Sequence, residues 1–255
     1  MYMRMVRARV KAGQHEGLCS HYEKEIIPRL AGVPGCLHAG LLNNTRNPEE
    51  VISMTLWESH ERSDAYAQSP LFASMLASIQ PFLVASSESR LQLSEDFTLE
   101  LIPVEEKPVI ENYSVEVSGG AESLDQATRR TPWVRIVLLK IAAGKVEEFK
   151  NIYATSVVSA LRTVKGCRHV FLSQSAENPS EFISTTVWDS LEEADAYDHG
   201  GLFKMLMEWM KHTLPDLYQW KMEQQAAGRS PVMTSEELVV ESYTVLVAKS
   251  FGETR

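Results

Sequence analysis

Two histidines, His38 and His169, stand at matching places in the chain, each two residues after a cysteine in the pattern G-C-x-H and so expected on the same strand face as that cysteine. An imidazole facing a cavity can act as a general base near neutral pH or orient a phenol or enol. The plainer reading is an interior histidine satisfied by its neighbours. Each is followed by a run with two hydroxyls and an indole on alternate residues: Ser53, Thr55 and Trp57, then Ser184, Thr186 and Trp188. Alternate residues of a strand share a face, so these side chains, with Val51 and Phe182, would form one wall suited to a flat ligand or simply to a packed interface. Arg4 and Arg135 could bind an anionic or enolate oxygen, or pair across strands with Glu111 and Glu241. Tyr66, Tyr197, Tyr113 and Tyr243 are further candidates to border a substrate. Cys36 and Cys167 read as small core residues, because nothing nearby in sequence supplies the positive environment a thiolate needs.

These candidates come in pairs because the chain contains one domain twice. Residues 3–83 align without a gap on 134–214 at an offset of 131, with 27 of 81 positions identical, against about five expected by chance. After a one-residue slip, Glu111-Asn-Tyr113 answers Glu241-Ser-Tyr243. The expected organisation is a first copy at 1–118, a linker at 119–131 and a second copy at 132–255. Composition agrees with a folded protein: 255 residues, 44% hydrophobic, suit two domains each able to bury a core. A net charge of −9 without a basic stripe argues against nucleic acid and anionic membrane as partners. No apolar run approaches the roughly 20 residues of a membrane span and the N-terminus lacks a signal-peptide core, so a cytoplasmic location is expected. Three cysteines without CxxC or His/Cys metal spacing predict neither a disulfide framework nor a metal site. No flavin or nicotinamide motif is present, so no cofactor is expected.

Each copy reads as strand, helix, strand, strand, helix, strand. The first helix carries a stripe stepping by four, Leu18, Tyr22, Ile26 and Leu30, answered by Phe149, Tyr153, Val157 and Leu161. An Asn-Pro turn joins strands two and three, at Asn47-Pro48 and Asn178-Pro179. Ser59 and Ser190 are N-caps for the second helix. The order is ferredoxin-like, α+β, with an antiparallel sheet covered by helices on one face and bare on the other. Two such sheets closed on each other as a barrel would bury both bare faces, and fusion makes that pairing intramolecular.

V-x-G-C before strand two, W-[ED]-S after strand three, then D-A-Y and S-P-L-F or G-G-L-F resemble the antibiotic biosynthesis monooxygenase domain family of dimeric α/β barrels. The resemblance covers nearly all of both copies and implies a dimer joined end to end, as an intramolecular pseudo-dimer with room for a further homodimer. It also implies a small-molecule ligand. Family members include cofactor-independent oxygenases acting on aromatic polyketides and quinols, haem-degrading enzymes, and proteins without established activity. The haem-degrading branch carries Asn, Trp and an axial His at places that here hold Val6, Tyr66 and Leu76, and Val137, Tyr197 and Met207. None matches, which argues against haem degradation by that ligand set and leaves only His199 and His212 for a different one.

The resulting expectation is a monooxygenase-like protein in which His38 or His169 deprotonates a small aromatic, quinol or enolisable substrate inside the barrel while Trp57 or Trp188 stacks its ring. The alternative is a non-catalytic small-molecule-binding or stress-related protein of the same fold. The face bearing Ile52, Met54 and Leu56 is expected beneath the helices and the Ser-Thr-Trp face inside the barrel. Gly40 against Phe171, Leu42 against Ser173 and Val51 against Phe182 would make the first half roomier.

Overall fold

A computed structural model describes residues 1–84, 89–93, 99–103, 108–120, 133–216, 219–220, 222–223 and 238–251. In the first half, β1 (Tyr2–Arg9) leads into α1 (His15–His21), a π-helical turn (Tyr22–Ile26) and α2 (Ile27–Ala31). The hairpin β2 (Cys36–Asn44) and β3 (Glu50–Trp57) follows, then α3 (His60–Ala67) and α4 (Pro70–Ile79). A small two-stranded sheet, β4 (Ser89–Leu93) with β5 (Leu99–Pro103), precedes the long β6 (Val109–Gly120). The second half repeats the order: β7 (Trp133–Lys140), α5 (Val146–Ile152), a π-helical turn (Tyr153–Val157), α6 (Val158–Leu161), β8 (Cys167–Ser175), β9 (Glu181–Trp188), α7 (Leu191–His199), α8 (Leu202–Met210) and β10 (Leu238–Ser250).

The π-helical turns explain how a step of four stays on one face. An α-helix advances about 100° per residue, so four residues overshoot a turn by about 40°, and one wider turn takes up the drift. Both second helices begin as expected: Ser59 Oγ accepts from Arg62 N and Ser190 Oγ from Glu193 N, each at 3.3 Å.

Eight strands form one closed antiparallel barrel in the order β1-β3-β2-β10-β7-β9-β8-β6. Each last strand belongs to both halves. β6 pairs with β1 of its own half through Ser114 and with β8 of the other from Tyr113 onward, across a bulge at Val115/Val117. β10 pairs with β7 through Thr244 and with β2 from Tyr243 onward, across a bulge at Val245/Val247. The intramolecular pseudo-dimer is thus knitted by exchanged strands. Gly119 and Gly120, expected in the linker, extend β6, while residues 121–132 lie outside the described residues. A Cβ at Gly119 would come within 2.8 Å of Val158 Cγ1, so glycine permits the strand's close approach to α6 of the other half.

Three apolar clusters result. Two lie between the helices and the outside of the barrel, one per half, built on Tyr22, Leu30, Val51 and Trp57 and on Tyr153, Leu161, Phe182 and Trp188. The third is made of strand residues alone, from all eight barrel strands, including Met3, Met5, Ile52, Met54, Leu56, Phe171 and Ile183, and fills the barrel. The expected faces of strand three are therefore reversed. Ile52, Met54 and Leu56 point into the barrel, whereas Ser53, Thr55 and Trp57 lie under the helices, as do Ser184, Thr186 and Trp188. Of the three expected size differences, Gly40/Phe171 and Leu42/Ser173 sit on the barrel side and only Val51/Phe182 on the helix side.

Arg7 also points inward and binds Glu50, with Tyr243 OH at 2.9 Å, Glu241 at 3.3 Å and Glu111 at 3.8 Å. Burial alone would lower the Arg7 guanidinium, but Tyr243 and the three glutamates hold it above its ordinary value. This replaces the expected pairing of Arg4 with Glu111. In β1, Arg4 faces the helices and Arg7 the barrel.

Because each half leaves two strand edges for the other to fill, residues 1–120 or 133–255 expressed alone should sediment as homodimers or aggregates. A stable monomer in analytical ultracentrifugation would contradict the exchanged-strand architecture. Phe171 fills space from the barrel wall, so Phe171→Ala should lower unfolding free energy by about 3–5 kcal/mol in chemical denaturation.

Candidate functional site

A cleft opens between the sheet and the helices of each half. In the N-terminal half it holds about 450 Å³ of space between atoms, open mouth included, and is lined by Arg4 and Val6 of β1, Tyr22, Ile26 and Leu30, Ser53 and Thr55 of β3, Tyr66 of α3, and Phe72, Met75, Leu76 and Ile79 of α4. The C-terminal cleft holds about 350 Å³ and is lined by the equivalents of all of these except Arg4, with Leu139 added. The N-terminal cleft is the larger of the two, whereas the roomier first half expected from the sequence was a barrel cavity, which strand side chains fill.

The floor is fixed by paired hydroxyls. Tyr22 OH donates to Gly40 O at 3.3 Å and shares a 2.9 Å hydrogen bond with Ser53 Oγ, while Tyr153 OH and Ser184 Oγ are 2.6 Å apart. Behind the wall, Trp57 is fully buried, stacks on Tyr66 at 4.8 Å and donates its indole N–H to Thr55 Oγ1 at 2.9 Å. Trp188 repeats this with Tyr197 at 5.2 Å and Thr186 Oγ1 at 2.8 Å. The indoles thus support the cleft walls and line neither cleft.

Of the candidates read from the sequence, the N-terminal cleft gathers Arg4, Ser53, Thr55 and Tyr66, and the C-terminal cleft Ser184, Thr186 and Tyr197. Arg135 is held beside the second cleft by Asp198, with Nη2–Oδ1 at 2.6 Å and Nε–Oδ2 at 3.0 Å. Tyr113 and Tyr243 belong to the barrel interior. His38 and His169 lie on the barrel side as well, away from the clefts. His38 Nδ1 is 3.0 Å from Ser250 Oγ, and His169 packs on Phe171 at 4.5 Å with Nε2 3.0 Å from Ser118 Oγ. A register shift between Cys36 and His38 sends them to opposite faces, correcting the expectation that they share one. Both Cys36 and Cys167 are buried, which pushes each thiol up to about 12, as core residues rather than nucleophiles.

The positions aligned with the haem-degrading ligand set, Val6, Tyr66 and Leu76 with Val137, Tyr197 and Met207, all border the clefts. Among the described residues no histidine lines either cleft. His199 bonds Asp195 O and His212 bonds Glu148, both at 2.8 Å on exposed surface. The residues present do not fit a haem held by histidine. Sequence reasoning missed Phe72, Met75 and Ile79, which give no chemical signal, and Asp198, whose signal is a difference between copies: D-A-Y-A against D-A-Y-D.

An antiparallel barrel of two ferredoxin-like halves, with a cleft beneath the helices of each, defines a dimeric α/β barrel built within one chain. The model of the antibiotic biosynthesis monooxygenase family matches residues 1–78 and 132–209, and the chain belongs to that family as a tandem-domain member. Similar structures include candidate monooxygenases from Fusobacterium nucleatum and Lactobacillus acidophilus, each at TM-score 0.66 and 10% identity over 98% of this chain, covering 94% and 96% of theirs. An anthrone oxidase-like protein aligns at TM-score 0.56 and 12% identity, covering 100% of this chain and 94% of that one. At these identities the likeness is one of fold. No curated protein sequence matches the chain. No helix among the described residues is long and apolar enough to cross a membrane, and no group of three or more metal-binding side chains is found among them.

Burial raises the hydroxyl pKa of Tyr22, Tyr66, Tyr153 and Tyr197 well above the ordinary phenol value. A folded-state pKa above the unfolded one means the stabilisation is whole below about pH 10 and fades as pH rises beyond it, since the unfolded chain then releases protons the native chain retains. Thermal unfolding should therefore shift to lower temperature above about pH 10. Tyrosinate absorbance should appear together with unfolding; full ionisation of these four at pH 10 in a folded protein would contradict their burial.

Proposed function

We propose that the protein is a cofactor-independent, monooxygenase-like enzyme whose substrate, a small aromatic, quinol or enolisable molecule, occupies the N-terminal cleft. The observation that carries the reading is the cleft itself, an apolar and aromatic slot with the hydroxyls of Tyr22, Ser53, Thr55 and Tyr66 and one cation, in a chain of the monooxygenase family. The overall chemistry balances without an added reductant. An activated CH₂ between aromatic rings takes one oxygen atom from O₂ to become C=O, and the second oxygen leaves as water with the two hydrogens.

Tyr22 and Tyr66 remain phenols at neutral pH and cannot act as the base there. The substrate must therefore supply its own acidity, ionising as a phenol, quinol or enol, and the cleft serves to hold the electron-rich anion flat and shielded from water. The same lack of a base among the cleft residues favours the second reading, a non-catalytic binding protein, should oxygen not be consumed.

Oxygen uptake with a quinol or anthrone substrate separates the two. Leu76→Trp, which fills the N-terminal cleft, should lower the rate at least tenfold. Met207→Trp, at the equivalent place in the other half, should leave most of it. Substrate binding without oxygen uptake in the unaltered protein would favour the binding reading.

A further inference from the structure

The two clefts share nearly every lining residue but treat their arginine differently. Arg4 and Arg135 are equivalent and both about 97% buried, at 3% relative exposure. In the C-terminal half, Asp198 accepts a hydrogen bond from Arg135 Nε at 3.0 Å and forms a 2.6 Å ion pair with Nη2, which makes no hydrogen bond of its own, and the guanidinium lies over Phe203 at 4.5 Å. The residue equivalent to Asp198 in the N-terminal half is Ala67. Arg4 there donates through Nε to Asn112 Oδ1 at 2.8 Å, and its Nη2 is 3.6 Å from Asp64, a half-exposed carboxylate shared with His60. Arg4 Nη1 is buried without a hydrogen-bond partner, and Arg4 lines the cleft.

A long contact to a solvent-facing carboxylate is a weak partner for a buried cation, and leaving a guanidinium nitrogen unbonded costs stability. Burial accordingly lowers the Arg4 pKa by more than Asp64, Tyr2 and Tyr66 raise it. The C-terminal half shows what pairs this arginine's charge in this fold: a close carboxylate that enters from the helix side.

Resting on the reading that the N-terminal cleft is the ligand site, we propose that Arg4 is its anion-recognition residue, selecting aromatic ligands that carry a carboxylate or an ionised phenol or enol oxygen. We propose equally that Asp198 is a built-in anion occupying the corresponding place in the C-terminal half, so that the chain takes one such ligand. Selection arises because a charge-assisted hydrogen bond from the guanidinium to an anionic oxygen is stronger than one to a neutral acceptor.

Isothermal titration calorimetry of the full chain with 2-naphthoate, and with its neutral isostere 2-naphthamide, tests this. The expected result is one 2-naphthoate per chain, bound at least tenfold more tightly than the amide, as a charged hydrogen bond implies. Asp198→Ala, which copies the arrangement the N-terminal half already tolerates, should raise the count to two. Arg4→Gln should bring the acid down to the affinity of the amide. Equal binding of acid and amide by the unaltered chain overturns the anion assignment yet leaves the cleft as the ligand site, and this comparison needs no variant to fold. A count that stays at one in Asp198→Ala, with that variant folded, overturns the role given to Asp198. No binding of either probe, before or after Leu76→Trp, counts against the cleft and the functional reading beneath it.

Discussion

The structure depends on the backbone pairing of each half's last strand with the other half's second strand. A ferredoxin-like sheet ends in two edges, and an unpaired edge offers its N–H and C=O groups to any passing strand. Here β6 leaves β1 to run along β8, and β10 leaves β7 to run along β2, so the barrel strands have no free edge. The bulges at Val115/Val117 and Val245/Val247 fall in the pairing with the other half, just past the residues where pairing with the own half ends, and add local twist there.

Closure also decides where a ligand can go. With eight strands, inward side chains alone fill the interior, and here they include methionines, leucines, isoleucines and Phe171 from both halves. The space left is between sheet and helix, where α4 faces β1 and β3 in one half and α8 faces β7 and β9 in the other. There the π-helical turns place Tyr22 and Tyr153 against Ser53 and Ser184, fixing the floor of each cleft with a hydrogen bond that also ties helix to sheet.

Much of this was legible in the residues. The repeat, the βαββαβ order, the caps at Ser59 and Ser190 and the need for two bare sheet faces to meet all follow from spacing and pattern. The inward face did not. Ser53, Thr55 and Trp57 alternate with Ile52, Met54 and Leu56, but both sets are enclosed, one by helices and one by the barrel, so polarity along the strand no longer marks solvent. Hydroxyls that seemed to mark a wet barrel cavity instead bond Tyr22 and the Trp57 indole under the helices. His38 was misplaced relative to Cys36 for a second reason: a register shift between them breaks the period of two, and no residue type announces it.

Fusion lets the halves differ where a homodimer could not. Both must keep the barrel filled, because each half is the other's partner sheet, but only one needs an open cleft. The differences are local: Arg7 against Leu138 at the barrel's acidic end, and Ala67 against Asp198 beside the buried arginines. A guanidinium buried under a helix must find acceptors, and a fold has two ways to supply them. It can place a carboxylate one helical residue after the shared tyrosine, as Asp198 follows Tyr197, which pairs the cation at close range. Or it can place alanine there, as Ala67 follows Tyr66, which leaves Arg4 Nη1 unbonded beside the N-terminal cleft. On the proposal that this cleft takes an anion, a single residue after D-A-Y separates a structural half from a receptive one.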